Sequence, residues 1–397
     1  MRVLIADDDL ISQRILSSAL EKLGHQVESA RDGREAWEKF CQDHYEVVIL
    51  DWVMPGMKGP EVARRIREEA RDYYPYVILL TSLDEKENLI EGLQSGADDY
   101  LTKPLDPAVL EARLAVARRI VELEESLKQK IEELSEKNRR ISEELRAASR
   151  IQAALLPSPA VVGPLEIACY YRPSEELGGD LLSFFPLSDR LLMAYLLDVS
   201  GHGMRASLLS VSLGYIISSK SKQYFNRDGG EAQGEGLGKR LVELVGELNE
   251  ELQLLAQTGQ YFTIALSLVE LDRLTLHLVS AGQPPGLIVR ADGGEEWLDL
   301  PGFPVGLVEE ADYEVQSRAL SPGEVVIFYS DGITEARCGE GRPFGREALL
   351  GGARRGARGG AMRVQAEIVS DLNDWLGDHP PQDDISLLVL GVRGEGG

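Results

Sequence analysis

Apolar residues recur along this chain with more than one spacing, and the changes of spacing mark its divisions. From Met1 to about Arg119, short apolar runs at Val3 to Ala6, Val47 to Leu50 and Val77 to Leu80 alternate with amphipathic stretches such as Leu10 to Leu23 and Gly59 to Ala70. This alternation predicts a doubly wound α/β fold, a parallel sheet with helices on both faces. From Ile120 to Leu155 the chain has neither Gly nor Pro. There Ile120, Leu123, Leu127, Ile131, Leu134, Ile141, Leu145, Ala148 and Leu155 form a narrow stripe. Such a stripe predicts a coiled-coil linker helix that pairs in parallel with a second copy, making a homodimer. Two successive steps of four, Leu123 to Leu127 to Ile131, break the heptad as a stutter that locally unwinds a supercoil. Asn138 on the stripe is the kind of buried amide that fixes register at some expense of stability. A solvated single helix packing on its own domains is the other use of the same pattern.

Pro157 and Pro159 end the linker. Beyond them, β-type runs at Leu191 to Leu197, Tyr261 to Leu268, Leu274 to Val279 and Val325 to Tyr329 are separated by helical patterns at Arg205 to Ser219, Leu237 to Leu255 and Val364 to Leu376. Two layers of strand covered by helices, an α/β sandwich, are expected. Two glycine-rich stretches, Asp228 to Gly238 and Gly351 to Gly360, read as mobile loops. The second carries Arg354, Arg355 and Arg358, either as solvated charges or as a flap for an acidic phosphoprotein. The predicted division is residues 1–118, a linker at 119–156, and residues 157–393.

Composition narrows the classes of function. A chain of 397 residues exceeds what one core usually supports. A net charge of -24 repels nucleic-acid phosphates and disfavours DNA or RNA as a general partner. Met1 to Asp9 runs from an apolar strand straight into aspartates, without the order of a secretory signal. The run at Leu191 to Leu197 stops at Asp198, well short of the roughly 20 residues that cross a bilayer. A soluble, cytoplasmic protein with no membrane partner is expected. Cys41, Cys169 and Cys338 are odd in number and far apart, which argues for free thiols over a disulfide framework or thiolate zinc.

The acids then carry the chemistry. Asp7 and Asp8 end one strand-like run and Asp51 another, and ligands bind at the carboxyl ends of strands in open α/β sheets. Converging, they make an oxygen-rich pocket for Mg²⁺, whose charge lets an aspartate oxygen attack a phosphoryl donor. Lys103 supplies an ammonium for a phosphoryl oxygen and Thr81 a hydroxyl, while Asp9 continues into the Leu10 helix as an N-cap. The strings LIADDD, ILDWVMPGM, LLTS and DYLTKP, in this order, resemble a response-regulator receiver domain over about the first 118 residues. The resemblance implies that Asp51 is the phosphoacceptor and that Asp7, Asp8, Asp51 and the Val53 carbonyl hold the metal. It also makes Thr81 and Tyr100 switch residues, Lys103 the phosphoryl partner, and a sensor histidine kinase the source of the signal.

In the C-terminal half, GGD at Gly178 to Asp180, DVSGHG at Asp198 to Gly203, SDG at Ser330 to Gly332 and QDD at Gln382 to Asp384 set carboxylates beside glycine turns or strand ends. Hydrolysis of a phosphate monoester is very slow unaided, and two divalent ions held by such carboxylates can accelerate it. Asp180, Asp198, Asp331 and either Asp383 or Asp384 are the candidates; His202 in its glycine turn reads as structural, since hard ions prefer oxygen. With SAGQPPGLIV, FPVGL, LSPGEVVIFYSDGITEA and QDDISLLVL, this half is similar to metal-dependent PPM serine/threonine phosphatases of the SpoIIE-like branch. The resemblance implies two Mn²⁺ or Mg²⁺ ions. Asp180 and Asp198 with the Val199 carbonyl would hold one ion or bridge both, and Asp331 and Asp383 would complete the coordination of the second ion, with Asp384 beside it as the lesser candidate. It also implies that the Met204 to Ser219 helix regulates the site. Leu181, Leu182 and Ser183 after GGD, and Gln283 where a His is common, depart from the family pattern and bear on substrate contacts.

The expected function is a phosphorylation-regulated phosphatase acting on a phosphoserine or phosphothreonine protein, by resemblance an anti-sigma-factor antagonist. The alternative is a non-catalytic adaptor that binds a sigma factor or anti-sigma component, against which the retained acids argue. A cyclic-dinucleotide synthase built on GGD fails because Leu181 and Leu182 follow it instead of an acidic and aromatic pair.

Overall fold

The computed structural model describes residues 1–69, 73–82, 94–226, 234–253 and 259–394. The chain divides into two compact units, Met1–Arg140 and Ile141–Gly397.

In the first unit, strands β1 (Arg2–Ala6), β2 (Gln26–Ala30), β3 (Val47–Asp51), β4 (Tyr76–Ser82) and β5 (Asp99–Lys103) form one sheet in the order β2-β1-β3-β4-β5. Every pairing is parallel. Alternate residues of a strand face opposite sides, and both sides of this sheet are covered. Leu4, Ala6, Val48 and Leu50 enter one core, while Val3, Ile5, Val47 and Ile49 enter the other. That is why the central strands read as unbroken apolar runs. β2, at the edge and partly exposed, gives no such run, and the pattern reading passed over it together with the Gly33–Gln42 helix. The Leu10–Lys22 helix starts at Asp9, whose carboxylate accepts from the amides of Ile11 at 3.1 Å and Ser12 at 3.2 Å.

The helix expected from Ile120 begins earlier and runs unbroken over Pro107–Leu155. Leu110, Leu114, Ala117 and Val121 on its first turns are buried in the receiver-like core. The stripe that follows, Leu123, Leu127, Ile131, Leu134 and Ile141, is exposed.

The second unit holds two antiparallel sheets. The first comprises β8 (Leu181–Ser188), β9 (Leu191–Val199), β10 (Phe262–Glu270), β11 (Thr275–Ala281) and β14 (Val315–Ala319), in the order β14-β11-β10-β9-β8. The second comprises β6 (Ala160–Val162), β7 (Leu165–Arg172), β12 (Gly286–Val289), β13 (Glu295–Leu298), β15 (Val325–Tyr329) and β16 (Ile385–Val392), in the order β13-β12-β15-β16-β7-β6. Leu192, Ala194 and Leu196 of β9 pack with Val326, Phe328, Leu388 and Leu390 of the other sheet in one cluster. Met193, Tyr195 and Leu197, pointing the other way, pack against the Met204–Asn226 and Glu235–Glu251 helices. The Gly345–Gly356 and Gly360–Leu376 helices cover the outer face of the six-stranded sheet. The expected α/β sandwich is therefore observed, with all three cores apolar.

One expected loop is not a loop. Gly351 to Gly360 lies in the Gly345–Gly356 helix, a 3₁₀ turn at Ala357–Gly359 and the first residue of the next helix. Its glycines serve packing: a Cβ on Gly356 would stand 2.4 Å from the Cα of Val364, so only glycine lets these helices approach. The arginines are engaged within the fold. Arg354 pairs with Glu295 at 2.5 Å, Arg355 with Glu367 at 3.2 Å and with Asp371, and Arg358 donates to the Ala291 carbonyl at 3.3 Å. The other expected loop, Asp228 to Gly238, lies outside the described residues as far as 233, and its end begins the Glu235–Glu251 helix. Leu254 and Leu255, expected to close that helix, also lie outside them. Cys41, Cys169 and Cys338 are free thiols.

Candidate active site

Parallel register in the first unit sets Asp51 opposite Leu80 and Ser82 opposite Lys103, at the carboxyl edge of the sheet. There Asp7, Asp8 and Asp51 each offer an oxygen within 4.8 Å of the others, the only such acidic group among the described residues. The Lys103 ammonium stands 2.7 Å from Asp7 Oδ2 and 3.0 Å from Asp51 Oδ2. Burial lifts the Asp51 pKa above the usual carboxylate value, and Lys103 opposes that rise. Burial likewise works against the charge on Lys103, but its bonds to Asp7 and Asp51 prevail and hold its pKa above the ordinary lysine value. Gln13 anchors the Asp7 backbone, donating to the carbonyls of Asp7 at 2.7 Å and Ala30 at 2.6 Å. Thr81 is buried near the end of β4, Tyr100 is half-buried on β5, and Val53 lies in the exposed turn after β3.

In the second unit the acids sit where strands of both sheets begin or end. Asp180 immediately precedes β8, and Asp198 is the penultimate residue of β9, opposite Thr263 of β10. Asp331 opens the short Asp331–Thr334 helix just after β15, and Asp383 and Asp384 lead into β16. Ser330 ties the last two together, donating to the Asp384 carbonyl at 3.0 Å and accepting from the Ser386 amide at 3.0 Å.

Gathering like charges in a half-buried place perturbs Asp180, Asp198, Asp331 and Asp383. Burial, then Asp331 and Asp383, raise the Asp198 pKa to about 7. Burial and then Asp198 push Asp180 well above the usual carboxylate range. Asp331 and Asp383 are raised chiefly by burial. A cleft of about 460 Å³ opens beside them, lined by Asp198, Val199, His202, Gln382 and Asp383, with Ser174 and Glu175 on its wall.

The GGD turn owes its place to close approach. A Cβ on Gly178 would stand 2.2 Å from Tyr171 Oη, and one on Gly179 would stand 2.9 Å from the Val199 carbonyl oxygen, which therefore faces this turn. Asp384 is the member of the QDD pair whose carboxylate is already taken up. Its Oδ1 accepts from the Ser174 amide at 2.8 Å and hydroxyl at 3.0 Å, and its Oδ2 from the amides of Gly179 at 2.6 Å and Asp180 at 3.3 Å. Asp384 thus clamps the 174–180 segment, while Asp383 lines the cleft.

Whether these acids suit cations is a question of donor chemistry. Asp180 Oδ2 is buried and accepts no hydrogen bond, and an orphaned carboxylate oxygen among raised neighbours fits a hard cation. Among the described residues, no three acids of the second unit crowd as closely as those of the receiver-like unit.

The sequence pattern does not single out Ser174, Glu175 or Gln152, and it marks Ser330 only as the start of the SDG string. Glu175 Oε1 lies 3.2 Å from His202 Nδ1 at the exposed rim, and Gln152 donates to the Gly178 carbonyl at 2.8 Å. Only the acidity of Glu175 was a signal. Gln283, one of the departures from pattern, is buried and donates to Thr263 Oγ1 at 2.7 Å.

Fold and site define a response-regulator receiver domain followed by a PP2C-type phosphatase domain. The profile of Stage II sporulation protein E (SpoIIE) matches residues 188–393, just over half of the chain, and that of the response regulator receiver domain matches residues 3–115. The chain belongs to the SpoIIE family. It is 41% identical over 120 residues to the probable transcriptional regulator ycf27 of Porphyridium aerugineum, covering 30% of this chain and 49% of that protein. It is 38% identical over 118 residues to the phosphate regulon transcriptional regulatory protein PhoB of Pseudomonas aeruginosa, covering 30% and 52%. The chain thus spans about half the length of these curated relatives. Among solved structures, the SiaA-PP2C domain of Pseudomonas aeruginosa aligns over 65% of this chain and 99% of that one, at 22% identity and a TM-score of 0.53, a likeness of fold.

Proposed function

We propose that this chain is a phosphorylation-regulated response regulator whose output is metal-dependent dephosphorylation of a phosphoserine or phosphothreonine protein. The observation that carries the reading is the crowd of buried, mutually repelling carboxylates beside an open cleft, an arrangement that destabilises the empty protein and suits bound cations. Asp180, Asp198, the Val199 carbonyl, Asp331 and Asp383 would hold Mn²⁺ or Mg²⁺. When bound, two such ions would activate water and neutralise phosphoryl charge. The chain's own residues do the rest. Asp384 fixes the turn that presents Asp180, Ser330 fixes the spacing of Asp331 to Asp383, and the Glu175 and His202 rim shapes the entrance for a phosphorylated side chain. The substrate is, by resemblance, an anti-sigma-factor antagonist.

The regulatory half has the same character. Asp51 is the phosphoacceptor for a sensor histidine kinase, with Mg²⁺ held by Asp7, Asp8, Asp51 and the Val53 carbonyl. Lys103 moves from its carboxylate partners to the new phosphoryl group, and Thr81 and Tyr100 respond to it. The receiver spans residues 1–118 and the phosphatase residues 157–393. The linker at 119–156 pairs two copies through the exposed stripe from Leu123 to Ile141, whose burial supplies the driving force. Control is then a population shift between arrangements of the linker.

The test is phosphate release from a phosphoserine protein with Mn²⁺, with and without acetyl phosphate, for the full chain and for Asp198→Ala. Release should need both Mn²⁺ and Asp198. Absence of release in every condition would favour the non-catalytic adaptor.

A further inference from the structure

We infer that Gln152 is a positioning residue for the phosphatase metal centre, the contact through which the linker helix grips the turn that presents Asp180; this rests on the phosphatase reading above. Between Ile141 and Leu155, Gln152 is the one fully buried side chain, at 4% exposed, while Ile151, Ala153, Ala154 and Leu155 around it are exposed. An amide in such a position loses about 1–3 kcal/mol if its polar atoms are left without partners. Its NH₂ group has a partner, donating to the Gly178 carbonyl at 2.8 Å. That carbonyl acceptor requires a donor, so an apolar residue of the same size cannot replace the contact.

The bond falls on the same segment that Asp384 holds. Amides of Gly179 and Asp180 donate to Asp384 on one side, and the Gly178 carbonyl accepts from Gln152 on the other. Asp180, two residues along, has almost no freedom apart from this turn, being buried at 1% exposed with Leu181 already in β8. Just past the helix, Leu156 packs against both the inter-sheet core and the core under the Met204–Asn226 helix, which seats the helix end. Rotation of the helix by the 20° or so that a heptad drifts would carry an amide about 6 Å from the axis through about 2 Å, enough to break the bond. Gln152 therefore converts the phase of the linker into the position of a metal-binding carboxylate.

The experiment uses the full chain and compares Gln152→Met, near in size and helix-forming but without the donor, with the exposed control Arg150→Ala. Mn²⁺ binding is measured by titration calorimetry without substrate, with Asp198→Asn as the baseline that removes the phosphatase centre and leaves the receiver's own site. Turnover of p-nitrophenyl phosphate and thermal midpoints in EDTA accompany it. Gln152→Met should bind Mn²⁺ about tenfold more weakly at this centre, the scale for losing an outer-shell partner of a ligand. Its kcat should fall with KM unchanged at saturating Mn²⁺, and its EDTA midpoint should stay within a few degrees of wild type. Arg150→Ala should match wild type throughout. A Gln152→Met protein with wild-type Mn²⁺ affinity and kcat would overturn the inference. A wild-type chain that binds no more Mn²⁺ than Asp198→Asn would overturn the phosphatase reading, and this inference with it.

Discussion

Replacing Asp198 by Asn should make the metal-free protein more stable, although it removes a residue on which activity is proposed to depend. Burial and the charges of Asp331 and Asp383 raise the Asp198 pKa from 3.8 to about 7. Between about pH 4 and pH 7 the native state therefore holds a proton that the unfolded chain has released. Stability contributed by this group is present at low pH and declines as pH rises through that window. The gap corresponds to about 4 kcal/mol of destabilisation once pH exceeds 7. Asn is nearly isosteric and cannot ionise, so the variant escapes that penalty. For a domain of this size the gain raises the thermal midpoint by about 10 °C at pH 8 in EDTA and changes it little at pH 4. Saturating Mn²⁺ should reverse the order, because ligand that binds only the native state stabilises the protein with the intact site. Thermal unfolding followed by circular dichroism at pH 4, 6 and 8, in EDTA and in Mn²⁺, reads all of this. An Asn variant less stable than wild type in EDTA at pH 8 would refute the reasoning, since Asp198 would then be structurally favourable as a charge.

Three further outcomes are expected. Asp51→Asn should abolish Mg²⁺-dependent phosphoryl incorporation from acetyl phosphate on phosphate-affinity gels; persistent incorporation would move the acceptor elsewhere. Glutamates at Ile131 and Leu134 together should turn a dimer into a monomer by light scattering, because charges would face each other across an apolar seam, and a dimer that survives them would rule out that seam. Gly356→Ala sets a methyl 2.4 Å from the Val364 Cα, so it should destabilise the protein by about 2 kcal/mol and lower its midpoint by about 5 °C; an unchanged melt would mean the helix pair parts freely.

Much of this protein was legible as pattern because its patterns are local. Buried central strands read as apolar runs at β1, β3, β4, β9 and β15, and the acids fell beside glycines or at strand ends where carboxylates can be presented. Asp9 was recognisable as a cap for the same reason. The reading failed where a residue's meaning depends on its neighbour in space. Glycines from Gly351 to Gly360 suggest a loop until Val364 and Ile368 of the following helix are seen pressed against them. Arg354, Arg355 and Arg358 suggest solvated charges or a binding flap until Glu295, Glu367, Asp371 and the Ala291 carbonyl are seen to take them up.

From the order of its residues alone, the chain declares a parallel-sheet receiver, a helical linker and an α/β sandwich, together with the acids proposed for both sites. Period and residue type carry that information, and each is a property of a few consecutive positions. Only the folded chain decides that Asp384 clamps a turn while Asp383 faces the cleft, that Asp198 meets the charges of Asp331 and Asp383, and that Gln152 reaches the Gly178 carbonyl. Those pairings join positions from 26 to 210 residues apart, and the energy of a charge or a hydrogen bond depends on distance through space, which no local spacing encodes.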